Sequence, residues 1–195
     1  AGRQLITALA WRTDAGRAFS GSTYDVRISL STSPATVATL STTFAANHGS
    51  DLTVVFDGTL VAAPSPASAD LSHFDLFCEL QRPFEYDPAN GALAVDVQMR
   101  NCSGVFPGLL DLTFQGGLLA GRVTHSNNAN ASTANSAPQP INALVMAMRS
   151  VPVVTVPASL ANTLNTGGTG VPFVHSFPFD QTQGRSLNMI AATAA

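Results

Sequence analysis

Apolar and polar side chains alternate along several short segments of the chain, as they do in β-strands that bury one face. In TYDVRISL, residues 23–30, every second side chain is apolar, beginning with Tyr24. The segments HFDLFCEL, residues 73–80, and GALAVDVQMR, residues 91–100, also alternate. This period of two predicts strands that are covered by a core on one side and polar on the other.

Weaker strand patterns occupy residues 4–12, 52–60, 109–115, 118–125, 142–149, 151–156 and 187–194. In total, about ten short strands with one polar face each predict an all-β fold, an antiparallel β-sandwich of the jelly-roll-like type. Only residues 36–47 could form a helical turn or two.

Three segments are predicted to be connections. The polar stretch at residues 126–140 predicts a long surface loop, and the Gly-rich stretch at residues 162–172 a loop and hinge. In RPFEYDPANGALAV, residues 82–95, the turn residues DP and NG predict a hairpin. Pro83 cannot donate to a ladder, so it is expected at an edge or a bulge.

Composition supports a β protein and excludes some partners. Hydrophobic residues make up 45% of the 195 residues and charged residues 11%, and all nine basic residues are Arg. A formal charge of −3 without a basic stripe argues against nucleic acid as a partner. No apolar run reaches the length of about 20 residues that a spanning helix needs, so no membrane span is expected in this chain.

Three stretches together resemble a known family: ITALAWRTDAG (6–16), TFAANHGSDLTVVFDGTL (43–60) and FDLFCELQRPFEYDPANGALAVDVQMRN (74–101). They are similar to the exported domain of bacterial PEP-CTERM-type surface proteins, and a weaker likeness extends to residue 149. The resemblance implies a secreted, mostly β domain of the cell surface or of an exopolysaccharide, biofilm or floc matrix, with no general enzymatic activity. The chain departs from the family in having no Pro-Glu-Pro sorting segment, and its parts stand in rotated order.

The rotation concerns residues 154–195, which resemble a segment that precedes the ITALAWR strand in the family. We therefore expect a β-sandwich domain at residues 1–157, and at residues 158–195 a linker and C-terminal strand segment that completes an adjacent copy. The last strand, SLNMIAATAA, is expected to pair near QLITALAWR of that copy, either in a separate chain or in a tandem repeat. The alternatives are a tail folded back on its own domain and a tail without a role. The side chains expected to enter the neighbour are Val174, Phe177, Phe179, Leu187, Met189 and Ile190.

The two cysteines are predicted to form a disulfide. Cys78 and Cys102 are equally distant from Asn90 along the predicted hairpin, but they fall on opposite faces by parity. A one-residue bulge near Arg100 and Asn101 would correct the mismatch. Two cysteines at matching depth in a secreted chain usually pair, and closing this loop would stabilise the fold by about 3–4 kcal/mol. The alternative is two inert buried thiols.

Motifs for chemistry are weak. The four histidines lie in four separate segments without a metalloprotease or serine hydrolase context, so no catalytic residue, no metal site and no cofactor is predicted. A calcium site would require four carboxylates to meet in space, those of Asp51, Asp57, Asp70 and Asp75. Glycosylation-type triplets begin at Asn101 and Asn130, the second in the predicted surface loop.

The function predicted from these features is that of an extracellular structural protein, a subunit or repeat of a bacterial surface fibre or biofilm matrix. Its partners would be copies of itself, joined head to tail by β-strand complementation, and extracellular polysaccharide is a further candidate partner. The alternative function is a carbohydrate-binding module of that matrix, for which an exposed aromatic cluster on one sheet face would be expected.

Overall fold

The computed structural model describes residues 2–12, 18–67, 74, 76–103, 112–114, 120–126, 128–139 and 142–153. The chain divides into two compact units, Ala1–Val153 and Val154–Ala195. The predicted linker and C-terminal strand, residues 158–195, lie outside the described residues.

The described strands build two three-stranded antiparallel sheets and one short pair. In chain order the strands are β1 (Gln4–Trp11), β2 (Ser22–Ser33), β3 (Thr53–Ala62), β4 (Leu76–Tyr86), β5 (Ala92–Ser103), β6 (Leu112–Phe114), β7 (Asn142–Leu144) and β8 (Met146–Pro152). The first sheet has the order β4-β1-β8, the second has the order β3-β2-β5, and β6 pairs with β7. The predicted all-β class is confirmed for this part of the chain.

The helical turns within the described residues are three short 3-10 helices: Val37–Thr39, Phe44–Asn47 and Pro88–Asn90. The first two lie inside the segment at residues 36–47 for which the sequence predicts a helical turn or two. Asn47, at the end of the second, is buried.

One core lies between the two sheets, and the central strands supply most of it. β1 contributes Ile6, Leu9 and Trp11, and β2 contributes alternating side chains from Tyr24 to Leu30. The alternation predicted for residues 23–30 is thus the alternation of core and outer face in β2. Burial at these positions drives the two sheets together, since a large aliphatic or aromatic side chain contributes about 1.5–3 kcal/mol when it leaves water.

The predicted hairpin between β4 and β5 is wrong. A tight turn does connect them, and the Asp87 carboxylate accepts a hydrogen bond from the Ala89 backbone N–H at 3.0 Å. However, β4 pairs with β1 and β5 pairs with β2, so the turn passes the chain from one sheet to the other. Alternation shows which face of a strand is buried, but it does not identify the neighbouring strand.

Two local irregularities fall where the sequence places them. Ile6 lies opposite Phe84 and Ala8 opposite Glu79, so residues 80–83, including Pro83, form a bulged stretch in an edge strand. In the second sheet Asp25 lies opposite Asn101 and Val26 opposite Met99. Arg100 is therefore the extra residue of a β-bulge at the expected position, although the sequence predicts this bulge in a pairing with the strand of Cys78 and it occurs in the pairing with β2.

The structure contains only part of the geometry on which the predicted disulfide depends. The bulge places Cys102 opposite Tyr24 in the backbone register. Cys78, however, lies in the other sheet opposite Leu9, and it is a free, buried thiol in this structure. The two cysteines are not cross-strand neighbours of one hairpin, and the bond between them stays a prediction.

The polar stretch predicted as a surface loop has its own backbone pairing. The Arg122 and Gln139 main chains exchange two hydrogen bonds, of 2.9 and 3.1 Å. At the far end, Phe44 N–H donates to the Ser132 carbonyl, and Ala134 N–H donates to the Thr42 carbonyl. The stretch is therefore fastened to the segment that holds the second 3-10 helix.

Candidate assembly surface

A polar cluster on the outer face of β2 holds the loop that follows the second 3-10 helix. The Ser31 hydroxyl and His48 Nδ1 are hydrogen-bonded at 2.8 Å. The Ser33 hydroxyl donates to the Asn47 carbonyl at 2.6 Å, and the Asp51 carboxylate accepts from Thr32 N–H at 2.9 and 3.1 Å. The buried Ser31 and Ser33 hydroxyls are thereby paired, and the Asn47 side chain is paired separately with the Ser41 main chain, since polar groups in a protein interior are usually hydrogen-bonded.

The cluster contains a serine, a histidine and a carboxylate, the residue types of a hydrolytic triad. His48 Nε2 lies 3.8 Å from an Asp96 carboxylate oxygen, which is too long for a hydrogen bond. In a catalytic triad the serine meets Nε2 and the carboxylate meets Nδ1, the reverse of this arrangement. Ser31 also has 0% of its surface exposed, so its hydroxyl cannot meet a substrate. The contacts at His48 fasten a loop, and sequence reasoning missed them because the histidine is 17 residues from Ser31.

The acidic residues of the hypothetical calcium site do not come together where they are described. Asp51 accepts the Thr32 backbone N–H, whereas Asp57 pairs with Arg27 at 2.7 Å and with Arg100 at 2.5 Å. Hydrogen bonds from Arg100, and secondarily from Arg27, hold the pKa of Asp57 below its ordinary value. Asp70 and Asp75 lie outside the described residues, and no metal-binding group of three occurs within the described ones.

The Cys78 thiol has low reactivity. Burial, with a smaller contribution from the negative charge of Glu79, raises the pKa of its thiol to about 11. At neutral pH the thiol is therefore protonated, and a protonated thiol is a poor nucleophile and a poor metal ligand.

The first sheet buries its core-facing side chains on two strands but not on the third. Leu9 of β1 lies opposite Cys78 of β4 and opposite Met148 of β8, so the three side chains share a face. Leu9 and Cys78 are buried, whereas Met148 is 49% exposed. The core is therefore exposed to solvent at Met148 of the β8 edge, although Met146 of the same strand packs against it.

The second sheet shows the same gradient. Ile28 of β2 lies opposite Phe56 of β3 and opposite Val97 of β5. Ile28 is buried and Phe56 packs against the core, whereas Val97 is 39% exposed. The core is therefore also exposed at Val97 of the β5 edge, whereas Leu93, Val95 and Met99 of the same strand pack against it.

The opposite edges of the two sheets are joined. β3 and β4 lie in contact, and the Gln81 side chain of β4 binds the main chain of β3 at both ends of its amide. Asp57 N–H donates to Gln81 Oε1 at 3.0 Å, and Gln81 Nε2 donates to the Asp57 carbonyl at 3.2 Å. Closure along β3 and β4 leaves β5 and β8 as the far edges of the two sheets; we call this the open side.

The open side differs from the predicted attachment point. β1, which contains QLITALAW, is paired with β4 on one side and with β8 on the other from Gln4 to Trp11. It has no free edge for a further strand, so the expected pairing of the C-terminal strand near QLITALAWR is wrong. Sequence reasoning missed Val97 and Met148, since both belong to strands whose pattern matches that of fully covered ones.

The six residues expected to enter a neighbour, Val174, Phe177, Phe179, Leu187, Met189 and Ile190, lie outside the described residues. Among the described exposed large hydrophobic side chains, one is aromatic, that of Phe77, which is 47% exposed. The Arg149 guanidinium lies over its ring, 5.7 Å from the centroid. A sugar that stacked on this face of the ring would displace the guanidinium.

These strands define an all-β protein of two three-stranded antiparallel sheets around one core, consistent with a β-sandwich. No protein-family model, no curated protein and no solved structure matches the chain. None of the described helices has the length and apolar character needed to cross a membrane.

Proposed function

We propose that the protein is an extracellular structural protein, a subunit or repeat of a surface fibre or matrix whose copies are joined head to tail by β-strand addition. The extracellular setting is what the family resemblance implies. The mode of assembly rests on one observation, the open side, where core-facing side chains of both sheets are exposed at Val97 and Met148.

Core-facing side chains that remain exposed favour the binding of a partner that covers them. Met148 and Val97 stand one strand beyond side chains that are fully buried, so an added strand would extend an existing core rather than create a new one. Strand addition gains ladder hydrogen bonds along the edge and burial on the inner face, which is the logic of β-augmentation. Exposed edges with apolar faces otherwise lead to aggregation.

The proposed donor is SLNMIAATAA of another copy. The segment carries no charged side chain, and in a strand Leu187 and Met189 lie on one face with Asn188 and Ile190 on the other. Burying two such side chains would contribute about 3–6 kcal/mol, which corresponds to roughly a 10²- to 10⁴-fold effect on association.

The test substitutes the two faces of the donor separately in the full chain. Leu187→Asp combined with Met189→Asp should shift the protein from assembled particles to single subunits, because two charges would enter an apolar core. Asn188→Gln changes the other face without adding a charge and should leave assembly unchanged. Light scattering on a sizing column and electron microscopy measure the outcome; if the double variant assembles like the unchanged chain, the proposal is wrong.

A further inference from the structure

We infer that the acceptor for this strand is the free edge of β5, and that its occupant is the segment at residues 186–195 of a second copy. The inference rests on the proposed function, because it names the surface at which the same assembly takes place. Among the described residues, no strand pairs with the edge of β5 that faces away from β2.

The length and regularity of β5 match those of the donor. From Ala92 to Met99 the strand keeps an unbroken register with residues 26–33 of β2, and the bulge begins only at Arg100. These eight residues contain no proline, so every backbone N–H along this edge is a potential donor. The strand predicted in the donor, residues 187–194, also has eight residues and no proline.

The β8 edge fits less well. β8 has seven residues, and its last, Pro152, has no N–H to offer. Ser150, in the same core row as Ile6 and Phe84, is polar where the two others are buried and apolar. A strand added to β8 would therefore find an apolar inner surface along only part of its length.

The side-chain chemistry of β5 is also complementary to the donor. Its core-facing positions are Leu93, Val95, Val97 and Met99, of which Val97 is the most exposed. The opposite face of β5 carries Asp96, near His48, and Gln98. A donor strand without charged side chains places apolar groups against these four core-facing side chains. On its other face it brings no additional charge close to Asp96 and His48.

Cross-linking between two differently labelled copies tests the acceptor. Both copies carry Cys78→Ser and Cys102→Ser; the donor copy adds Leu187→Cys or Met189→Cys, and the acceptor copy adds Val97→Cys. Two further acceptor variants are tested in the same way, one with Met148→Cys on β8 and one with Val61→Cys on β3. Val61 serves as the control because it is 68% exposed but lies on β3, whose edge is joined to β4. Circular dichroism and sizing first establish that each variant folds and assembles, and mild oxidation then forms disulfides between residues in contact.

We expect the Val97 acceptor to give at least ten times more linked pairs than the Val61 acceptor. Preferential linkage to Met148, or no linkage to Val97 in protein that still assembles, overturns the β5 inference and leaves the proposed function standing. If neither the unchanged chain nor any variant assembles, no cross-links form, and this outcome overturns the proposed function. A chain that carries both Val97→Cys and Leu187→Cys should link between copies; a bond within one chain at high dilution would overturn both.

Discussion

Gly91 occupies the point where the chain leaves the first sheet and enters the second. Its φ of 144° is one that side chains rarely adopt, and a Cβ there would lie 2.5 Å from the Ser33 carbonyl oxygen. The Tyr86 hydroxyl donates to the Gly91 carbonyl at 2.8 Å and fixes the same turn. Glycine is therefore required by both the backbone angle and the close approach of β2.

We predict that Gly91→Ala lowers the free energy of unfolding by more than about 2 kcal/mol, since backbone strain of about 1–3 kcal/mol is joined by a steric clash. Gly2→Ala is the matched control, because a Cβ at Gly2 would meet nothing within 4 Å. Urea titration followed by circular dichroism measures both variants. Equal midpoints for the two would show that the turn accommodates a side chain.

The hydrogen bond between His48 and Ser31 could not be predicted from the local sequence. Its segment gives no sign that the imidazole will meet Ser31, because the contact depends on a loop returning to the outer face of β2. Gly49 makes that return possible, since a Cβ there would lie 2.1 Å from the Thr32 carbonyl oxygen. A contact of this kind follows from tertiary structure and not from the local pattern.

At the scale of strands, alternation predicts faces well and neighbours poorly. The pattern at residues 23–30 identifies the core face of β2, whereas the bulge at Arg100 lies at the expected position but against β2, not in the hairpin from which it is inferred. The turn between β4 and β5, in contrast, has the sequence of a hairpin connection but joins two sheets. A turn determines where a chain reverses, whereas the pairing partner depends on which strands share the core.

The Gln81 amide acts as a substitute for ladder bonds between β4 and β3. It accepts from Asp57 N–H and donates to the Asp57 carbonyl, so one side chain satisfies both backbone groups of a residue on the other sheet. A glutamine in an exposed strand position gives no sequence signal for this role.

We predict that Gln81→Ala destabilises the protein by about 1–3 kcal/mol, because two hydrogen bonds at about 0.5–1.5 kcal/mol each are lost. Arg82→Ala, at the exposed neighbouring position, is the control and should change stability by less than about 0.5 kcal/mol. Amide hydrogen exchange should also become faster at Asp57 in the first variant. Unchanged exchange at that amide would contradict the role assigned to Gln81.

At the scale of the whole molecule, the open side was beyond sequence prediction. Ile28 and Val97 are equivalent in their patterns, and one is buried while the other is 39% exposed because they belong to a central and an edge strand. The predicted self-association remains a proposal, but its expected attachment point moves from β1, which is paired on both sides, to the far edge of the fold.

A synthetic peptide of residues 186–195 should compete with assembly if the open side accepts this strand. We predict that excess peptide raises the fraction of single subunits and raises their melting temperature, since a ligand that binds only the folded form stabilises it. A peptide with Asp in place of Leu187 and Met189 is the control. Equal effects of the two peptides, measured by light scattering and thermal denaturation, would exclude the proposed interaction.

The joining of β3 to β4 through Gln81 has a geometric consequence for growth. The lateral side at which Gln81 binds the main chain of β3 takes no further strand, so in the proposed assembly one copy would accept one donor strand at β5 and supply one from its own C-terminal segment. Subunits with one acceptor and one donor can lengthen a filament but cannot branch it or extend it into a two-dimensional layer. The proposed assembly should therefore give filaments of constant width, and their number should depend on how often two copies first associate.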